Sequence, residues 1–149
     1  MTLDSTLAPW LEQALQSPLP DAVVGLSFNL SEGATGDDAG FCIELVGTDR
    51  FDAQDPDWAC DEVWAPEARE IELPYSLTGH HWEDCLAALH TALLQALATP
   101  RFGPRLTAQV QGIGLGFVDG DLQLLADPGA AAAAAPALMP EFGAAAACR

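Results

Sequence analysis

Residues 112–125 read GIGLGFVDGDLQLL, and the folding of this stretch decides which side chains meet in the core. Asp119-Gly120 is a favoured pair for a two-residue type I′ turn between antiparallel strands. Such a turn sets Phe117 opposite Leu122 and Leu115 opposite Leu124. Ile113, Leu115 and Phe117 then share a face with Leu122 and Leu124, so turn chemistry and hydrophobic register agree. Gly112, Gly114 and Gly116 line the other face, where a neighbouring helix or strand is expected to pack closely.

A second hairpin is predicted upstream. Val24, Leu26, Phe28 and Leu30 alternate with Gly25, Ser27 and Asn29, the pattern of a half-buried strand over 22–30. The turn-rich loop SEGATGDDAG follows, and alternation resumes at Phe41, Ile43 and Leu45. Glu70-Ile71-Glu72-Leu73 before Pro74 suits a short edge strand, since charge and proline both protect edges. Two helices are predicted. Over 6–17, Leu7, Trp10, Leu11, Ala14 and Leu15 form an apolar stripe, with Ser5 or Thr6 as cap, Pro9 in the first turn, and Pro18 and Pro20 as terminators. Over 80–98, Trp82, Cys85, Leu86, Leu89, Leu93, Ala96 and Leu97 project onto one side, with Glu83 and Asp84 favoured by the dipole in the first turn. The order predicts an α+β fold: an antiparallel sheet built from two hairpins, with two helices packed on one face. Residues 1–125 are expected to form a single α+β domain. Residues 126–149 read as an alanine- and proline-rich low-complexity tail without function.

The chain of 149 residues carries twenty-two acids against five arginines and no lysine, a net charge of −17. Residues 1–75 hold sixteen acids and two arginines, net −14; residues 76–149 hold six acids and three arginines, net −3. A field of that sign repels nucleic acid and anionic membranes and attracts basic partners, although an acidic face can also serve solubility alone. The lack of lysine excludes Schiff-base chemistry, pyridoxal phosphate and a P-loop. Neither a secretory leader nor a membrane-spanning stretch is legible, so a cytoplasmic protein is expected, with Cys42, Cys60, Cys85 and Cys148 as free thiols.

The charge concentrates in residues 48–64, TDRFDAQDPDWACDEVW. Asp49, Asp52, Asp55, Asp57, Asp61 and Glu62 fall within fourteen residues, with Arg50 the only local countercharge. Their spacing is not that of an EF-hand, so a solvated acidic loop is favoured over calcium binding. His80, His81 and Cys85 lack further ligands at zinc spacing. Cys60 sits among carboxylates that raise a thiol pKa, Cys85 falls on an apolar helix face, and His90 lies at that face's edge, so thiol catalysis is not expected. Paired carboxylates can hydrolyse glycosides, but no pair stands out among six. GIGLG precedes a hairpin instead of a helix and lacks the third glycine of a dinucleotide fingerprint. No catalytic residue, metal site or cofactor is assigned. The six acids are the expected partner-binding residues. Trp58 and Trp64 are candidate anchors, with core packing the stronger expectation for each ring.

The pattern of Glu44–Gly47, Phe51-Asp52, Asp55, Asp57–Glu62, Trp82 and Gly116–Leu122 resembles a family of small, mostly uncharacterised bacterial proteins associated with the immunity partners of polymorphic toxins. The likeness spans roughly residues 22–125 and leaves out the tail. It implies a non-enzymatic inhibitor: carboxylates meet the arginines and lysines of a basic toxin domain, and aromatics anchor the centre. Two other readings stand beside it. One is a carboxylate-based divalent-metal-binding domain or hydrolase, and the other a structural acidic subunit.

Overall fold

The computed structural model describes residues 2–16, 18–33, 40–117 and 122–126. The chain runs α1 (Leu3–Ala14), β1 (Gly25–Glu32), β2 (Gly40–Thr48), a 3-10 turn (Pro56–Cys60), β3 (Glu62–Trp64), β4 (Glu70–Pro74), α2 (Tyr75–Thr78), α3 (Trp82–Leu97), α4 (Gly103–Thr107), β5 (Gly112–Phe117) and β6 (Leu122–Ala126). Helix α1 starts earlier than its apolar stripe indicates. Thr2 and Ser5 form a reciprocal capping box, with Ser5 N donating to Thr2 Oγ1 at 3.1 Å and Thr2 N to Ser5 Oγ at 2.9 Å. Pro9 therefore lies inside the helix, beyond its first turn.

The six strands form one mixed sheet in the order β3-β2-β1-β5-β6, with β4 beside β2 on the same side as β3. Both predicted hairpin pairings, β1 with β2 and β5 with β6, are antiparallel. The expectation of a purely antiparallel sheet is corrected where the hairpins meet: β1 and β5 are parallel, from Gly25 opposite Gly112 to Leu30 opposite Phe117. Periodicity within a hairpin carries no information on how two hairpins dock. Here the chain crosses over through α3 and re-enters beside β1 in the same direction, the kind of long connection that a parallel pair requires.

The second correction concerns the register of β5 and β6. Gly116 lies opposite Leu122 and Gly114 opposite Leu124, with an irregularity before Ile113 pairs with Ala126. That register is one residue away from the one a two-residue turn at Asp119-Gly120 would set, and such a slip moves every side chain to the other face. Leu122 and Leu124 thus join the glycines, not Ile113, Leu115 and Phe117. Asp119-Gly120 itself lies outside the described residues, as do residues 34–39 of the β1–β2 loop and residues 127–149 of the expected tail.

One face of the sheet packs against α1 and α3. Leu7, Trp10 and Leu11 of α1 and Cys85, Leu89 and Leu93 of α3 share a buried core with Leu26, Phe28, Leu30, Ile43, Leu45, Ile113 and Leu115. Trp10 meets Phe28 edge-on at 6.2 Å, and its indole N–H donates to the Ala68 carbonyl at 2.7 Å. No helix among the described residues is long and apolar enough to cross a membrane.

Candidate functional site

The opposite face carries Gly25, Ser27 and Asn29 of β1, Gly112, Gly114 and Gly116 of β5, and Cys42, Glu44, Val46 and Thr48 of β2, because these positions alternate with the core residues. No helix covers it. The acidic segment does. Trp58 is completely buried there, in a small second core with Ala59, Leu122 and Leu124, flanked by Phe51 and Ala53. The Phe51 and Trp58 rings meet edge-on with centroids 4.9 Å apart. The glycines admit these rings. A Cβ on Gly25 would stand 2.7 Å from Trp58 and 2.5 Å from Thr48 Oγ1, and one on Gly112 would collide with the Phe51 ring. The glycine row is therefore a seat for a loop, not for the helix or strand expected from alternation.

Local hydrogen bonds shape the loop. Asp52 Oδ1 accepts from the Gln54 N–H at 2.9 Å, and Asp55 caps the 3-10 turn by accepting from the Asp57 N–H at 3.1 Å. Thr48 Oγ1 donates to the Arg50 carbonyl at 2.8 Å. The Arg50 guanidinium closes the loop from above, donating to Asp61 at 2.7 Å and Asp55 at 3.2 Å. The Asp57 amide, followed by Arg50, lowers the Asp55 pKa below the ordinary carboxylate value. One buried polar group in this small core has no hydrogen-bond partner among the described residues: the Trp58 indole N–H.

Arg50 is not the only countercharge. Arg69 arrives from the start of β4 and grips Glu62 with two bonds of 2.8 and 2.9 Å, while its Nε donates to Glu44 at 2.9 Å. Glu44 in turn accepts from Asn29 Nδ2 at 3.1 Å, and Ser27 Oγ donates to Asn29 Oδ1 at 2.8 Å. This polar row extends the open face beyond the loop. Its arginine escaped the sequence reading because Glu44 is 25 residues away and Glu62, though only 7 away, lies on a different strand; the pairing of β2 with β3 and β4 unites the three.

The expected site residues separate into three groups. Asp55, Asp61 and Glu62 are bound to arginine yet keep their outer surfaces exposed, with side chains 43%, 46% and 38% accessible. Asp49, Asp52 and Asp57 face solvent without an ion pair among the described residues. Neither tryptophan is an exposed ring. Trp58 is the loop's buried mount, and Trp64 is half-buried on the helix side, against Gly47 in the main core. The exposed apolar side chain within the acidic run is Val63, at 48%. Every described arginine is ion-paired, since Arg101 and Arg105 both hold Glu12.

The remaining chemical candidates do not converge. His80 and His81 are exposed and Cys85 is buried. No group of three or more His, Cys, Asp or Glu side chains among the described residues could hold a metal ion. Burial pushes the Cys85 thiol up to about 12. Cys42 rises to about 12 through desolvation and its 3.0 Å hydrogen bond to Glu70. Neither thiol is a nucleophile near neutrality. Cys42 and Cys85 are free thiols, and Cys148 lies outside the described residues. No family model, curated protein or solved structure matches the chain.

Proposed function

We propose that the protein is a non-enzymatic acidic protein-binding domain, an immunity-type inhibitor of a basic bacterial toxin, acting through the loop of residues 49–62. The observation that carries this reading is the mounting of the loop. A carboxylate-rich surface is bolted to a sheet by a fully buried Trp58 and braced by Arg50, so its charges are held in place before a partner arrives. Asp49, Asp52 and Asp57 supply the free charge, Asp55, Asp61 and Glu62 extend it, and Val63 offers an apolar contact among them. Such a surface steers a basic partner by long-range attraction and loses that advantage as salt rises.

The test is association with purified basic nuclease-toxin domains at about 50 mM and about 500 mM salt, where the Debye length shortens several-fold. Fast binding at low salt, weakened by Asp49→Asn together with Asp57→Asn, is expected. These two side chains do not brace the loop, so the double variant keeps its fold. Absence of binding at low salt, or indifference to the double variant, defeats the proposal. A melting temperature raised by millimolar calcium or magnesium would favour the carboxylate-metal reading instead.

A further inference from the structure

Helical periodicity assigns Trp82 to the core, yet the ring is 55% exposed, more than any other large apolar side chain among the described residues. It is not loose. Trp82 stands edge-on to Phe117 at 6.1 Å, Phe117 to Phe41 at 5.6 Å, and Phe41 to Tyr75 at 5.4 Å, while Tyr75 packs on His80 at 4.6 Å. Phe41 is buried, so this ladder ties an exposed indole to the main core. It occupies the end of the sheet where β5 finishes, whereas Phe51 and the acidic loop sit where β5 begins, about 17 Å away along the strand. Glu83 and Asp84 follow Trp82 and are both exposed.

The geometry points to this ladder as a second docking surface, taking an arginine-bearing segment of the basic partner; the inference rests on the inhibitor reading above. A rigid exposed tryptophan loses little entropy on contact and is the residue type most often found at interface hot spots. Its ring face attracts a guanidinium, and the exposed carboxylates of Glu83 and Asp84 add negative charge to the same end of α3. A second copy of this chain is disfavoured as the occupant, because each copy carries a net charge of −17.

Oligo-arginine and oligo-lysine peptides of equal length serve as probes in low-salt titrations of the full chain. Trp82→Ala is expected to weaken oligo-arginine binding about tenfold and oligo-lysine binding about twofold, with Trp82→Phe in between. Because the indole is exposed, the fold survives the change, as circular dichroism would verify. Unchanged oligo-arginine affinity in Trp82→Ala overturns the inference, and so does a wild-type dimer that this variant dissociates. If Asp49→Asn with Asp57→Asn weakens both peptides while Trp82→Ala weakens neither, the inhibitor reading stands and the ladder does not. If Trp82→Ala acts and the carboxylate pair does not, the ladder stands as a contact and the loop loses its role.

Discussion

The two faces of this sheet are covered by different means. On one, α1 and α3 lay apolar stripes across Leu26, Phe28, Leu30, Ile43 and Leu45, and each contact repeats at helical or strand spacing. On the other, a loop with no periodicity lowers Phe51 and Trp58 onto bare glycine backbone. The first arrangement buries many small contributions that back each other up. The second concentrates its burial in very few side chains, which leaves the rest of the loop free to carry charge. Each face also holds one buried tryptophan, and the two are satisfied differently. Trp10 hydrogen-bonds to Ala68, while the Trp58 N–H has no partner among the described residues.

Truncating the large ring on each face should show the sharpest contrast. Phe28→Ala and Trp58→Ala are each expected to cost about 3–5 kcal/mol in chemical denaturation. In hydrogen exchange, Phe28→Ala should raise exchange throughout the sheet and α1. Trp58→Ala should release residues 49–62 first and leave α1 and α3 protected. Equal loss of protection in the helices for both variants would show one cooperative core and erase the distinction.

A gentler test fills the seat. Gly112→Ala places a methyl group against the Phe51 ring and should destabilise by about 1–3 kcal/mol as the loop shifts. Partner association should weaken with it, although no carboxylate has changed. Smaller again is the difference between Trp10→Phe and Trp58→Phe. Both lose similar volume, but the first also strands the Ala68 carbonyl, so it should cost about 1 kcal/mol more in thermal unfolding. A larger cost for Trp58→Phe would mean that its indole N–H is satisfied in solution.

The smallest effect concerns the loop's pH response. Asp55 has a lowered folded-state pKa, so its contribution is complete above the unfolded carboxylate value of about 4 and is lost as pH falls through the folded value. Asp55→Asn should therefore flatten the stability–pH curve below about pH 4. Near neutrality it should lower stability slightly, because the ion pair to Arg50 is lost even though an amide oxygen can accept the same Asp57 N–H, and the two curves should converge in acid.

How far these features could be read beforehand varies with their range along the chain. The stripes Leu7-Trp10-Leu11 and Cys85-Leu89-Leu93 identified α1 and α3, because a helix repeats its buried positions within a few residues. The alternation around Phe28 and Ile43 identified β1 and β2 for the same reason. Trp82 broke the rule: it occupies the stripe's first position, and the stripe does not reveal where the sheet beneath the helix ends. The site was legible as composition and not as geometry. Six acids within residues 49–62 are visible to any reader, but nothing local announces that Arg69 would reach Glu62 or that Phe51 would lie over Gly112.

By itself, the sequence determined the α+β class, the two main helices, the pairing within each hairpin and the strongly negative surface. These follow from local periodicity and from charge, which no fold can remove. Tertiary structure decided the parallel contact of β1 with β5, the one-residue register of β6 and the burial of Trp58 beneath its own carboxylates. Each of these is a choice among arrangements of nearly equal local energy. The glycine face tipped that choice, because burying Leu122, Leu124 and Trp58 together removes more apolar surface from water than any of them could lose alone.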